Sequence, residues 1–591
     1  MAGALNRMDV AVLPVSWTLP PEAGGSWSPA LSPDGGHCAY VSDRGGRPQV
    51  WVQPVGSDLA FLVDTGPAAV VGVQWSSGGG WLACELAPGG APRHEVWLVR
   101  PDGSELHQVA GFDADTAGNM RWLPGRSLLA VTENLATARL VDPVAGSRTV
   151  VAKGRLISLL DVADDRALLR LGPRGARRIV VRDLRSGEDT PVALGEQAVF
   201  APDGSVYARS EAGEFPALIR VAPDGGVQVV AAAARAEVEA FALVPDGSAV
   251  AVLWNVRGGE SEVELIDLPA GTRRRVTPRP GTVVSDIGWS FDGSGLAFAA
   301  EGPGQPYGVW VHSGEQVRAV SAAPAAAGSV PPTLETFPGH DGLELSGWLF
   351  RPAGDGPHPA VIWLHGGPEA QERPGHSPLF QALVRAGIAV FAANVRGSSG
   401  FGKTFVNADN GALRYAAIED VRSCVRYLID SEVADGSRVG CMGRSYGGYL
   451  TLAALTTFPE LFAVGVDICG MSNFATFYQF TEPWIAAAAV SKYGDPVTDA
   501  DLLRDLSPLT HIDRLRAPLL IVHGENDSNV PVIEAAQVAA ALAERDVPHR
   551  YLLFAGEGHE LLNSTSRAEF LHETVEWLTR YLRPEPDRKG F

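Results

Sequence analysis

No apolar run in this sequence reaches the roughly 18 residues that a membrane-spanning helix needs. The first thirty residues hold only short apolar stretches, broken by Asn6, Arg7, Asp9 and Pro14. They lack the basic start and apolar core of a secretory leader. Cysteine is scarce: Cys38, Cys84, Cys424, Cys441 and Cys469 are an odd number with no close pair at metal-ligand spacing. Neither a disulfide framework nor a zinc site is implied, and the five read as buried thiols in a reducing compartment. Positive charge is in deficit as well, 48 Lys and Arg against 68 Asp and Glu, a formal net charge of −20. A polyanion such as nucleic acid or an acidic membrane surface would be repelled over most of such a surface. The absences lead to the expectation of a cytoplasmic protein with no nucleic-acid or membrane partner and no metal or organic cofactor.

What is present is a long chain with two distinct patterns. At 591 residues it exceeds what one core supports. From about residue 22 to 320, short apolar or alternating runs are broken by one recurring turn. It occurs as Ser32-Pro33-Asp34-Gly35, Arg100-Pro101-Asp102-Gly103, Ala201-Pro202-Asp203-Gly204, Ala222-Pro223-Asp224-Gly225, Val244-Pro245-Asp246-Gly247 and Ser290-Phe291-Asp292-Gly293. Pro fixes φ at the second position, and Asp-Gly tolerates positive φ, so each is a tight turn between strands. Tryptophans recur with the turns, as at Trp75 and Trp289. Four-strand units at a period of roughly 40 to 50 residues are the signature of β-propeller blades, and the length favours seven. Irregular spacing over residues 110 to 200 leaves a pair of β-sandwiches as the rival.

An Ala- and Pro-rich stretch then interrupts all periodicity, and beyond it strands alternate with helical stretches, the pattern of a mainly parallel sheet covered on both faces. The expected organisation is two-domain: residues 1–21 as an amino-terminal segment packed on the second domain, 22–322 as the propeller, 323–332 as linker, and 333–591 as an α/β-hydrolase domain.

The second domain carries the chemistry. In Val439-Gly440-Cys441-Met442-Gly443-Arg444-Ser445-Tyr446-Gly447-Gly448-Tyr449 an apolar run ends at a glycine-flanked serine, and a helical period follows. This reads as a nucleophile elbow, in which a strained turn lifts the Ser445 hydroxyl above the strand ends. Asp527 and His559 each follow a later apolar run, in the order Ser, Asp, His that this fold uses. A serine hydroxyl is a poor nucleophile until a neutral imidazole takes its proton, and a carboxylate fixes that imidazole's tautomer. Glu525, Asp513 and Asp495 are alternative acids; Asp527 is preferred for its place before Val530-Pro531 at a helix start. His523, directly after a strand, reads as structural. For the oxyanion, the candidates are the amide of Tyr446 and that of Gly367 in His365-Gly366-Gly367-Pro368.

Those motifs, with Asn394-Val395-Arg396-Gly397-Ser398-Ser399-Gly400-Phe401-Gly402, Tyr493-Gly494-Asp495-Pro496, Ser507-Pro508, His523-Gly524-Glu525-Asn526-Asp527 and Glu557-Gly558-His559, resemble the prolyl oligopeptidase family, closest to its acylaminoacyl-peptidase branch. The resemblance spans nearly the whole chain. It implies a serine peptidase with Ser445, Asp527 and His559 as triad, working in an interdomain cleft where the propeller screens out folded proteins and admits short peptides or small amides. Family members commonly carry an arginine two residues after the aspartate, to bind a substrate carbonyl; here Asn529 stands there. A neutral amide donates without the charge assistance that makes such bonds roughly twice as strong. No Glu-Glu pair of the dipeptidyl-peptidase kind appears in the first domain.

Asn473, Phe474, Phe477, Tyr478, Phe480 and Trp484 form a dense, mainly aromatic run that reads either as core or as substrate-pocket wall. The leading expectation is cleavage of short or N-acylated peptides through an acyl-enzyme. Its rivals are an esterase, amidase or acyl transferase for a small metabolite, and a propeller binding protein with an idle hydrolase domain. Exposed sheet edges leave homo-oligomer formation open.

Overall fold

The computed structural model describes residues 24–90 and 92–583; the expected packing of residues 1–21 lies outside them. The amino-terminal part is a series of antiparallel sheets. Residues 26–63, 69–110, 117–153, 237–275 and 283–321 each form four strands, and residues 157–231 form seven. The seven-stranded sheet divides at its long strand Asp189–Phe200. The first half of that strand pairs with Arg178–Asp183 and the second with Val206–Ser210. Gly195 marks the joint, where a Cβ would lie 2.0 Å from the Arg209 carbonyl oxygen.

All six recurring turns form as the residues dictate. Gly35, Gly103, Gly204, Gly225, Gly247 and Gly293 each donate an amide to the carbonyl three residues back, at 2.8 to 3.0 Å. The turn aspartate accepts the amide two residues on in every case, for example Ser205 to Asp203 at 2.9 Å and Ser248 to Asp246 at 2.8 Å. Side chains of one strand alternate between two cores because successive residues point to opposite faces. Val250 and Val252 pack toward the preceding unit, Ala251 and Leu253 toward the following one. The same holds at the ends of the series: Leu31, Cys38 and Tyr40 of the first sheet pack on Ala297, Val309 and Val311 of the last. Burying a Val or Leu in this way stabilises the fold by about 1.5–3 kcal/mol each.

The carboxyl-terminal part is one eight-stranded sheet. We number its strands β1 (Thr333–Pro338), β2 (Glu344–Phe350), β3 (His358–Leu364), β4 (Ala389–Asn394), β5 (Ala434–Arg444), β6 (Val464–Ile468), β7 (Leu519–Gly524) and β8 (His549–Phe554). Their spatial order is β1-β2-β4-β3-β5-β6-β7-β8. The pairs β1–β2 and β2–β4 are antiparallel and the rest parallel. The helices used below are α1 (Pro378–Arg385), α2 (Arg414–Asp430), α3 (Tyr446–Thr457), α4 (Phe474–Phe480), α5 (Pro483–Tyr493), α6 (Ile533–Ala543) and α7 (Ser564–Leu582). Helices α2, α3 and α6 cover one face with Ile362, Cys441 and Ile521; α1 and α7 cover the other with Val361, Met442 and Leu520. With parallel strands, the loops after β3, β5, β6, β7 and β8 gather at one edge.

Candidate active site

At that edge Ser445 follows β5 with φ 57 and ψ −116, a left-handed conformation rare for a residue with a side chain. The flanking glycines are required by close approach. A Cβ on Gly447 would lie 1.8 Å from the Leu364 carbonyl oxygen, and one on Gly443 would lie 2.4 Å from the Gly447 carbonyl oxygen. The Ser445 amide donates to Ile468 of β6 at 2.8 Å, which fixes the turn to the neighbouring strand.

Asp527 and His559 stand on the loops after β7 and β8. His559 Nδ1 lies 2.7 Å from Asp527 Oδ2, and Asp527 Oδ1 accepts the amides of Asn529 and Val530, both at 2.9 Å. Burial would raise the Asp527 carboxyl, but the His559 and His523 imidazoles outweigh it and hold Asp527 well below the ordinary carboxylate range. Burial likewise pushes the His559 imidazole down, and the Cys469 sulfur and Asp527 carboxylate beside it reverse the sign and raise it. The two loops are tied together by the Asn526 amide, 2.8 Å from the Glu557 carbonyl oxygen. Arg444, next to Ser445, ties the elbow to them: its guanidinium donates to the His559 carbonyl at 2.6 Å and pairs with Glu560 at 2.5 Å. His523 is buried, and its Nε2 donates to the Val530 carbonyl at 2.8 Å. Glu525 is exposed, and Asp495 caps its own turn by accepting from Val497 and Thr498.

The Tyr446 amide opens α3, where the first N–H groups have no carbonyl one turn back. Its ring and hydroxyl are fully covered, and behind them lies a pair that sequence reading missed. Arg414 and Asp409, both 0% exposed, form an ion pair to which the Tyr446 hydroxyl donates at 3.1 Å. Arg414 also donates to the Lys492 carbonyl at 3.0 Å. The His365-Gly366-Gly367-Pro368 loop borders the elbow so closely that a Cβ on Gly366 would lie 3.4 Å from Ser445 Cβ. His365 Nδ1 donates to the Gly366 carbonyl at 2.6 Å, and Nε2 lies 2.8 Å from Ser398 Oγ. Burial lowers the His365 imidazole, and Ser398 Oγ donates to the Val395 carbonyl at 2.6 Å. Asn394 and Arg396 of the same motif are scaffolding. Asn394 brackets the Glu372 backbone at 2.8 and 3.1 Å, and Arg396 spans Asp420 and Asp341 with bonds of 2.8 to 2.9 Å.

The site residues match known proteins in the region that holds them. Residues 376–585 fit the model of the prolyl oligopeptidase family. Dipeptidyl aminopeptidase BIII of Pseudoxanthomonas mexicana is 29% identical, across 95% of this chain and 88% of that protein. Over residues 376–585 the chain is similar to the prolyl oligopeptidase family. The acylamino-acid-releasing enzyme of Sus scrofa is 27% identical across 43% of this chain, and the match spans 36% of that enzyme's length. A crystal structure of puromycin hydrolase superposes with a TM-score of 0.82 at 18% identity, covering 95% of both chains, which shows the two-part fold.

Asn529 has a distinctive surrounding. That residue is half-buried, and its carbonyl accepts from Thr481 at 2.8 Å. Arg93, from the first domain, pairs with Glu482 at 2.8 Å, and the same carboxylate oxygen accepts from Ser528 at 2.8 Å. A cation from the other domain thus stands next to the position where family members carry arginine. The aromatic run divides, and part of the wall expectation is corrected. Phe474 and Phe477 are 1% and 2% exposed and pack in the core with Tyr449 and Tyr493. Their rings support the site from below and present no wall. Asn473 is the N-cap of α4, accepting from Ala475 at 3.0 Å. Tyr478 is half-buried with its hydroxyl on the Gly494 carbonyl at 2.8 Å, and Trp484 is half-exposed on α5. Acidic residues do line the cleft between the domains. Glu237 and Glu239, either side of Val238 at a bulge in one strand, border a cavity of about 350 Å³ that reaches Glu369, two residues beyond Gly367. Reading for adjacent glutamates misses that spacing.

Proposed function

We propose that this prolyl oligopeptidase relative cleaves short peptides, free or acylated at the amino end, with Ser445 as nucleophile. His559 takes the Ser445 proton as the Oγ–carbonyl bond forms, then gives it to the departing amine as the amide bond breaks. A water, activated by the same imidazole, hydrolyses the ester and restores Ser445. Asp527 holds the imidazole tautomer and stabilises its cation, and the amides of Tyr446 and Gly367 donate to the oxyanion. The observation that carries the reading is the 2.7 Å Asp527–His559 pair on a loop that Arg444, the residue before Ser445, holds by its carbonyl.

The substrate's amino end is assigned to the cavity beside Glu369. Glu237 is buried there and receives the Gly402 amide at 3.1 Å; Glu239 and Glu369 pair with Arg373, Arg174 and Lys492, so the Glu237 carboxylate is the group proposed to meet a cationic or hydrogen-bond-donating end group. The names of the relatives, an aminopeptidase and an acylamino-acid-releasing enzyme, fit both forms of that end. Residues 22–322 are read as a seven-bladed propeller, its blades being the five four-stranded sheets and the two halves of the seven-stranded one. Residues 323–332 link it to the hydrolase domain, residues 333–591. Five free, buried cysteines support a reducing, cytoplasmic setting. Asn529, in place of arginine, is the observation that favours the second reading, a small ester or amide as substrate.

A fluorophosphonate probe followed by mass spectrometry tests the nucleophile, and turnover of matched free, N-acetylated and ester substrates tests the class. Labelling at Ser445 with amide cleavage is expected, with turnover lost by about 10³-fold or more in Ser445→Ala. Ester turnover alone would select the second reading, and labelling elsewhere would overturn the assignment of Ser445.

A further inference from the structure

Ser445 has a counterpart one strand away. Cys469 is the first residue past β6 as Ser445 is past β5, and both have positive φ, 42 and 57. Each amide bonds the next strand over, Ser445 to Ile468 and Cys469 to Val522, both at 2.8 Å. The second turn delivers a thiol to the loops of Asp527 and His559. Cys469 lies within hydrogen-bond reach of the His559 imidazole, and ligand atoms of Cys469, Asp527 and His559 all lie within 4.8 Å of one another. The other four thiols lie away from these loops, and burial raises all of them, Cys38, Cys84 and Cys441 to about 12.

We propose that Cys469, Asp527 and His559 form a binding site for a soft divalent transition cation, with zinc the best match, and that its occupancy blocks peptidase turnover. One thiolate, one imidazole and one carboxylate are a zinc donor set with a fourth position left for water. Two ligands at about 2.0–2.1 Å from a tetrahedral ion stand roughly 3.3 Å apart. The 2.7 Å Asp527–His559 contact must therefore open by a few tenths of an ångström, and the metal replaces the hydrogen bond it breaks. The protons balance: the Cys469 thiol loses its proton to solvent and sulfur takes the metal, while the Nδ1 proton that His559 shared with Asp527 leaves through solvent, the neutral ring keeping its proton on Nε2, so that the Nδ1 lone pair is free for the metal. Affinity accordingly rises with pH. Cys469 is 3% exposed, so the ion reaches it past the more open His559 side chain. The effect on turnover rests on the proposed roles of Asp527 and His559; the binding does not.

The test uses the whole protein freed of metal, cobalt(II) as spectroscopic probe and zinc as inhibitor. Expected are a thiolate-to-cobalt charge-transfer band in wild type and in Ser445→Ala, and zinc inhibition reversed by chelator. In Cys469→Ser the band should vanish. The zinc concentration for half-inhibition, measured against that variant's own uninhibited rate, should rise at least about tenfold, since losing a ligand costs no less than losing its outer-shell partner. Cys469→Ala is the second variant should serine perturb the turn. Absence of the band in wild type overturns the proposal, as does zinc sensitivity unchanged by either substitution. If Ser445→Ala kept turnover, the proposed nucleophile would fail while the cobalt band still decided the metal site.

Discussion

His559 is held by neighbours that serve its fold and its chemistry in opposite senses. Its imidazole is raised above the ordinary 6.5 because the Cys469 sulfur and Asp527 carboxylate outweigh burial. A group whose folded pKa is raised adds stability that is complete below the unfolded pKa and is lost as pH rises through the folded one. The reaction needs the neutral ring, so activity appears over the window in which that stability is being lost. The acid limb of kcat/KM should therefore lie above pH 6.5. A limb at or below that value in a pH–rate profile on a small amide would contradict it. At the same scale, Asp409→Asn leaves the Arg414 cation buried without its counter-charge. Removing one partner of a buried pair costs about 3–5 kcal/mol. The denaturation midpoint should fall accordingly, and an unchanged midpoint would mean that Arg414 finds another anion. The sequence could not announce this pair. Asp409 and Arg414 are five residues apart outside any motif, and their importance comes from Tyr446, which the fold brings in from another element. Ser445, Asp527 and His559 were legible because each sits beside glycines or at a strand end, where chain geometry leaves a mark on composition.

At the scale of elements, the chemistry depends on loops from both domains. The 3₁₀ turn Pro88–Gly90 of the first domain presses on the histidine loop, and Asn526, beside Asp527, donates to the Gly89 carbonyl at 2.9 Å. Gly90 has φ 69, and a Cβ there would lie 2.7 Å from the Gly558 amide nitrogen, one residue before His559. Gly90→Ala should therefore push the imidazole out of line while leaving both cores intact. A shift near 1 Å at the reacting groups lowers kcat by about 10²-fold. The thermal midpoint should move far less than kcat; equal loss of both would place the damage in folding. The turns were the most readable elements, since Pro/Phe-Asp-Gly specifies φ residue by residue and all six form. The joint at Gly195 was not readable: a single glycine in a twelve-residue strand carries no sign that pairing changes partner there. Cys469 likewise carries no sequence mark of its positive φ.

At the scale of the molecule, the question is what holds the two parts together over the cleft. Arg373, in the loop after β3, donates to Gly259 at 2.6 Å, Glu239 at 2.7 Å and Ser261 at 2.8 Å, all in the first domain. Trp348 adds a bond to the Gly258 carbonyl at 2.9 Å, and Glu214 caps Thr404 with two bonds of 2.9 Å from the opposite side. Such directional polar contacts resist separation without a shared apolar core, as in interfaces that open and close. Arg373→Ala removes three donors at once and leaves Glu239 unpaired at the cavity wall, a truncation that typically costs about 2–5 kcal/mol at an interface. If separation of the domains limits entry, the variant should gain on long substrates. The ratio of kcat/KM for a thirty-residue peptide to that for a matched short amide should then rise, even as the absolute rate on the short amide falls through loss of the wall. A fall in both rates with the ratio unchanged would mean that peptides enter by a route that does not require the parts to move, such as the axis of the sheet ring.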